Sequence, residues 1–521
     1  MNKSTNNFIS SPNFSLSKLD FIMRKSQMGC VLDMKITFYL FLFLFVAPYV
    51  FAQDLTLTLE DAVTIAQTNS PISQAVRANR RSSLFRYKAF RAGLLPNVSL
   101  TGDAPGYINS INPITQPDGT VRFIGQEQAT VSSSIDVSQA VPYTGGRFEL
   151  SSGINRVFFY DGASNEWSYL WQSTPLVLSY IQPIFRFNQM AWDLQLEPIR
   201  NELSRLRFTE SMEEVALNAT RSYFDAYLAK INKENALFNV GVNDTIYQIS
   251  KGRFNVGKIA ENDLLQSELA LLNAQSNFQN ASLSYEKALQ DLKIQLGLSV
   301  RKEILVDAPE NLGVMTIDVE QALQFAQKNS SFLTDIKLRE MDAKRTVEQA
   351  EKEAGFNANL TARYGLNQTS REFSDLYSNL QNRSFLTVGF QIPLLNWGQN
   401  SASIQSARES AKEVENRVSV DREQYSIDVE FRVRQFLLQQ TQLVIAQKSD
   451  TIAQRRYEVT RARYLIGKVD ITNLLIAQNE KDTARSGLIR SQRDYWLSWF
   501  ELRRATLFDF IRNEPIQYGE F

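Results

Sequence analysis

Two long stretches of the chain, 188–251 and 398–461, carry small apolar residues on one sparse stripe with wide polar faces beside it. In the second stretch Ile404, Ala407, Ala411, Val414 and Val418 recur at three- and four-residue steps. That period predicts a helix with a narrow buried seam. The only proline in either stretch is Pro198, near the start of the first. More than 60 residues at about 1.5 Å each make a rod of roughly 90–100 Å, longer than a compact globular domain requires. Shorter helical patterns precede these rods at 58–92 and 318–354, with Pro71 near the start of the first, and follow them at 260–297 and 470–511.

Between the first helices and the rods, in the regions 94–185 and 355–395, the period drops to two. Val98-Ser-Leu-Thr-Gly, Thr130 to Ser138, Phe148 to Ile154, Leu176 to Ile181, Leu360 to Leu366 and Phe385 to Ile392 alternate apolar with small or polar residues. Such segments read as strands with one apolar and one polar face. Aromatic residues crowd them, among them Tyr107, Tyr143, Phe158, Trp167, Trp171, Tyr180, Phe390 and Trp397. Pro183 and Pro393 fall where strand gives way to helix, a position that tolerates proline. In an exported protein this pattern fits a transmembrane barrel with aromatic belts. A soluble β-sandwich fits the alternation as well, and a plain coiled coil fits the helical spacing.

The pattern occurs twice. Leu59 to Ser70 is echoed by Val319 to Ser330, and Asn97 to Thr101 by Asn357 to Thr361, both 260 residues later. The later echoes are 210 residues apart: Tyr180-Ile-Gln-Pro183 with Phe390-Gln-Ile-Pro393, and Arg253-Phe-Asn-Val-Gly257-Lys with Arg463-Tyr-Leu-Ile-Gly467-Lys. The sequence therefore predicts two copies of one unit, 53–310 and 311–521, with about 50 extra residues inserted in the first between 101 and 174. Each glycine, with its basic neighbours between two helical runs, predicts a tight reversal at a hairpin tip, 252–260 and 462–470.

Composition narrows the chemistry. Lys plus Arg number 56 and Asp plus Glu 56, so there is no basic surplus of the kind nucleic-acid binders carry. Histidine is absent and the single cysteine is Cys30. This removes the commonest general base and metal ligand and leaves no disulfide. No nucleophile motif or phosphate loop stands out, so no catalytic, cofactor or metal residue is assigned. Met34-Lys35, the apolar run from Ile36 and Val50-Phe51-Ala52 read as an export signal at 34–52, cleaved after Ala52, with 1–33 a non-structured extension. No other segment is apolar for long enough to be a transmembrane helix.

On these features the chain resembles the TolC-type outer membrane factors. The resemblance rests on the two-fold repeat, the helix–strand–strand–helix order, Pro183 and Pro393, and the Arg-aromatic-x-x-Gly tip with Asp263-Leu264 or Asn473-Leu474 six residues past the glycine. It implies a mixed α/β membrane protein, a homotrimer in which four strands per chain build one transmembrane β-barrel, continued by a periplasmic α-helical barrel. It implies an exit duct of a tripartite efflux pump or type I secretion system, joined to an inner membrane pump through a periplasmic adaptor. An equatorial belt would come from 297–317 and the residues after Phe510. The resemblance places adaptor docking at Arg253, Phe254, Gly257, Asp263, Leu264, Arg463, Tyr464, Gly467 and Leu474. Some relatives gate the mouth with second-repeat acids six and nine residues past the glycine. Here those positions are Asn473 and Ile476, leaving Asp263 and Asp470 as candidate gate acids, each also well placed to cap a helix. For the insertion, a hairpin turning at Pro142 to Gly146 is expected. We expect it to be a surface excursion, with two added wall strands as the other reading. A pore-free exported coiled-coil protein remains the rival function.

Overall fold

The computed structural model of the protein describes residues 55–161, 166–310 and 313–519. The expected signal at 34–52 and the 1–33 extension lie outside these. The elements run β1 (Leu55–Leu57), α1 (Leu59–Asn69), α2 (Pro71–Gly93), β2 (Asn97–Thr115), β3 (Val121–Val141), β4 (Gly146–Asp161), β5 (Glu166–Ile184), α3 (Gln189–Asn255), α4 (Glu261–Leu296) and β6 (Ile304–Val306). The second half follows with α5 (Val319–Asn329), α6 (Ser331–Ala354), β7 (Asn357–Ser370), β8 (Gln381–Gln391), α7 (Gln399–Leu465), α8 (Ile471–Thr506), β9 (Phe508–Asp509) and β10 (Glu514–Pro515). The rods α3 and α7 are 67 residues each, and their partners α4 and α8 are 36 each. At about 1.5 Å per residue each rod is roughly 100 Å long. No described helix is long and apolar enough to cross a membrane.

The expected first helix of each half is in fact two. Ser70 and Ser330 adopt extended backbone and cap the second helix of each pair, Ser70 Oγ accepting from Ser73 N at 3.0 Å and Ser330 Oγ from Phe332 N at 3.0 Å. Pro71 is thus not near the start of a long helix. It opens α2 at its first position, where its missing N–H costs no bond.

One antiparallel sheet holds six strands in the order β2-β3-β4-β5-β7-β8. This corrects both the expected four strands per chain and the surface excursion. The inserted β3 and β4 lie inside the sheet, β3 paired along β2 and β4, and β4 along β5. Their turn sits at the helical end: Asn188 Nδ2 donates to Pro142 O at 2.7 Å, and Gln182 Nε2 to Thr144 O at 2.7 Å. Gly145, at φ +74, lies against the Asn188 side chain, beside the start of α3.

Register puts one apolar face across all six strands. Val98 opposes Val137, Val137 opposes Leu150, Leu150 opposes Leu178, and Leu178 opposes Tyr364. The next row runs Phe148, Tyr180, Ala362, Leu386. The other face carries Ser99, Asp136, Glu149, Ser179, Arg363 and Phe385, polar apart from the last. Leu100, Leu178, Leu386 and Phe390 are exposed, at 73, 48, 72 and 70%.

The helices bury their thickest core mid-length, where Phe436, Tyr495 and Trp499 stack and Ala216, Leu217 and Leu502 fill in. Short segments strap around this region. Tyr223 Oη donates to Asp307 O at 2.7 Å and Leu57 O at 3.2 Å, holding β1 and β6. The C-terminal strap is held by an ion cluster. Arg503 donates twice to the fully buried Glu213, both at 3.0 Å, and to Asp509 at 2.9 Å. Tyr518 Oη donates to Glu213 at 2.6 Å and accepts from Gln67 at 2.7 Å. A buried carboxylate is tolerable only with such partners.

Candidate functional site: the paired hairpin tips

Both rods end alike, for a local reason. Gly257 and Gly467 stand at φ +70 and +74, in the left-handed region open to glycine. Gly257 N donates to Phe254 O at 2.8 Å and Lys258 N to Arg253 O at 2.9 Å. At the second tip Gly467 N donates to Tyr464 O and Lys468 N to Arg463 O, both at 2.9 Å. This paired bonding satisfies helix-end carbonyls and turns the chain sharply. The second helices then start at Glu261 and Ile471.

Asp470 caps α8, its carboxylate accepting from Asn473 N at 2.8 Å and Asn473 Nδ2 at 3.0 Å. Asp263 caps nothing. The N-cap of α4 is Ala260, without a side-chain bond, and Asp263 lies in the first turn, where a carboxylate meets the positive end of the helix. Asn473 and Ile476 are exposed. Asp263, Asp470, Arg253 and Lys258 line a shared cleft of about 380 Å³ between the tips.

The two tips of one chain interlock. Arg253 donates to Leu465 O at 3.1 Å and Tyr464 O at 3.4 Å, with its guanidinium 5.4 Å from the Tyr464 ring centre. Ser250 Oγ lies 3.3 Å from Tyr464 Oη. Tyr464 and Leu474 are 5% and 0% exposed, packed with Val242, Ile246, Tyr457 and Ile471. In this arrangement the two side chains hold the second hairpin to α3. Phe254, Gly257, Arg463 and Gly467 are exposed, and Leu264 is half-buried. The Arg463 guanidinium, the repeat counterpart of that of Arg253, makes no hydrogen bond or ion pair among the described residues. Pro183 is the penultimate residue of β5, opposite Asn359, and Pro393 lies two residues past β8, so both stand where sheet gives way to rod.

Sequence reasoning missed Lys481. It is 6% exposed, pairs with Asp482 at 3.1 Å, and sits 4.8 Å from the ring centres of both Phe238 and Tyr457. A Lys-Asp pair on a polar helix gives no local sign of burial. Among the described residues no cluster of acids, His or Cys has the makings of a metal site.

Residues 322–506 match the family model described as outer membrane efflux protein. The fold is similar to the Campylobacter jejuni CmeC outer membrane channel, at 16% identity over 88% of this chain and 87% of that one, with TM-score 0.62. It is also similar to the outer membrane protein VceC of Vibrio cholerae, at 12% identity, 86% and 95% coverage and TM-score 0.60. The open-state MtrE outer membrane channel of Neisseria gonorrhoeae is similar at 13% identity, 86% and 88% coverage and TM-score 0.58. No curated protein matches the chain.

Proposed function

We propose that this chain, which carries an outer membrane efflux protein domain, is a passive export duct that works as a homotrimer in the outer membrane. The observation that carries this reading is the union, in one chain, of an amphipathic open-edged sheet with two hairpins of roughly 100 Å rods. Neither half is complete alone. A lipid-facing sheet must close, because unpaired backbone groups in hydrocarbon cost several kcal/mol each. Rods with a narrow seam bury their faces only against more rods. Three-fold assembly supplies both, giving a barrel in lipid above a helical barrel crossing the periplasm.

No step is catalytic. Energy comes from an inner membrane pump, through a periplasmic adaptor that docks at the tips. In that scheme Phe254, Leu264, Arg463, Gly257 and Gly467 form the docking surface, and Arg253, Tyr464 and Leu474 hold the two hairpins in register beneath it. The gate lies where the repeats differ, at Asp263 against Asn473, and a three-fold axis turns any inward acid into a ring of three that favours cations. The system served is a tripartite efflux pump or a type I secretion system. The pore-free coiled-coil alternative leaves the exposed apolar sheet face without a purpose. Planar-bilayer recording on the purified protein tests the reading. Ion conductance that rises when the tips are loosened by Arg253→Ala is expected; a purified trimer that never conducts, with or without that change, sinks the duct.

A further inference from the structure

We infer that all six strands of each chain lie in the membrane wall and that three copies close an eighteen-stranded barrel, half as many strands again as four per chain would give. The inference rests on the duct reading and goes beyond it, because the number of strands sets the width of the lumen.

Three observations carry it. First, the inserted strands share the sheet's apolar face. Val137 and Leu150 share a row with Leu178, Phe148 shares one with Tyr180, Ala362 and Leu386, and Val131 and Ile135 lie on the same face, while Ser132, Ser134, Asp136 and Ser138 of β3 and Arg147, Glu149 and Ser151 of β4 fall on the opposite one. A hairpin standing in water above the membrane has no need of that register.

Second, β4 and β5 carry an aromatic group at each end of this face. Phe148 and Tyr180 stack at 4.5 Å near the helical end. At the far end Arg156 lies over the rings of Phe158, Tyr169 and Trp171, at 4.6, 4.3 and 4.9 Å from their centres, with Tyr160 against Trp167. From Phe148 to Phe158 is ten residues, about 33 Å along a strand at ~3.3 Å per residue. A tilt of about 40° reduces this to ~25 Å, the height of the apolar band between aromatic girdles in outer-membrane barrels.

Third, the free edges match. β2 bonds only to β3 and β8 only to β7. β2 leaves the helical end and β8 returns to it, so β8 of one copy meets β2 of the next antiparallel, as an even strand count requires. The occupant of each edge is therefore a second copy of this chain. Barrel diameter grows roughly linearly with strand number, so eighteen strands enclose a lumen about half as wide again as twelve, in the range where barrels hold an aqueous channel.

Nitroxide scanning of the exported full chain in liposomes tests this. With Cys30→Ser as background, labels go singly at 131–137 and 147–151, with 177–181, 361–365 and 384–388 as references. We expect oxygen and a water-soluble nickel complex to report opposite period-two oscillations on every strand, with Ile135, Val137, Phe148 and Leu150 at the lipid maxima. Oscillation on β5, β7 and β8 with uniform water exposure on β3 and β4 overturns the inference and leaves the duct intact, with a four-stranded wall. Uniform water exposure on every strand overturns the duct reading and the inference together. Cysteine pairs facing the lumen, Ser99 or Thr101 with Thr387 or Gly389, should give a covalent ladder up to three chains; no ladder in any pairing refutes closure between copies.

Discussion

Replacing Gly257 and Gly467 by valine isolates the backbone geometry of the tips. A β-carbon built on either glycine meets nothing within 4 Å, so the substitution carries no collision. The whole penalty comes from φ of +70 and +74, which costs an L-residue roughly 1–2 kcal/mol, with β-branched valine at the upper end. Two sites per chain make about 2–4 kcal/mol. The chain relieves this by unwinding the last helical turn, at the expense of the bonds from Lys258 N to Arg253 O and from Lys468 N to Arg463 O. At the first tip this withdraws Arg253 from Leu465 O. At about 1.4 kcal/mol per tenfold, a ~2 kcal/mol penalty depletes the native tip roughly 30-fold. The mid-length core around Trp499 is far from the change, so assembly survives. Cells exporting through this duct should lose export with Gly257→Val and Gly467→Val while trimers persist on unheated gels. Asparagine tolerates the left-handed region, so Gly257→Asn and Gly467→Asn should retain most export. Equal export from the valine and asparagine pairs would refute the conformational argument, and loss of trimers would refute its confinement to the tips.

Other outcomes follow from the clamps. Glu213→Ala removes one of the two carboxylates that hold the half-buried Arg503, leaving Asp509, and should destabilise by about 3 kcal/mol, the low end for a broken buried pair, read by denaturant unfolding; a change under ~1 kcal/mol would mean the cluster is solvated. Tyr518→Phe removes a hydrogen bond to a charged group, worth roughly 1.5–3 kcal/mol, and should speed proteolysis of 510–519. Burial, and then the Glu213 carboxylate, hold the Tyr518 hydroxyl above the usual phenol range. A raised folded value gives stability that is complete below the unfolded pKa of about 10 and lost as pH rises toward the folded one. The melting gap between wild type and Tyr518→Phe should therefore be constant at neutral pH and narrow above about pH 10. Arg253→Ala should loosen the two hairpins of one chain, seen as faster hydrogen exchange at 460–466. Arg463→Ala should leave that exchange unchanged and weaken adaptor cross-linking. The reverse pattern would exchange their roles.

Several features of this protein were written in local sequence. The period of small apolar residues marks α3 and α7 as rods, because one narrow stripe suffices for a helix that buries one seam. Alternation at Thr130 to Ser138 and Phe148 to Ile154 marks strand, because successive side chains on a strand must face opposite ways. Glycine between basic neighbours marks each tip, because a left-handed residue is a property of one position. Other features depend on partners distant in the chain. Alternation states that β3 and β4 have an apolar face but not which strands lie beside it, so insertion into the sheet was decided by pairing with β2 and β5. Ser70-Pro71 and Ser330 break helices whose composition reads straight through, because the break is stabilised by capping and by packing against the strapped mid-section. Tyr464 and Leu474 read as docking residues, and nothing local marks Lys481 as buried. Which side of α7 and α8 lies against α3 is fixed only when the two hairpins meet. Sequence alone determined the period of each element and the sites of its turns, since both follow from the geometry of neighbouring residues. The tertiary structure alone decided which face of each element is covered and which edge is paired, since those depend on contacts between residues far apart in the chain.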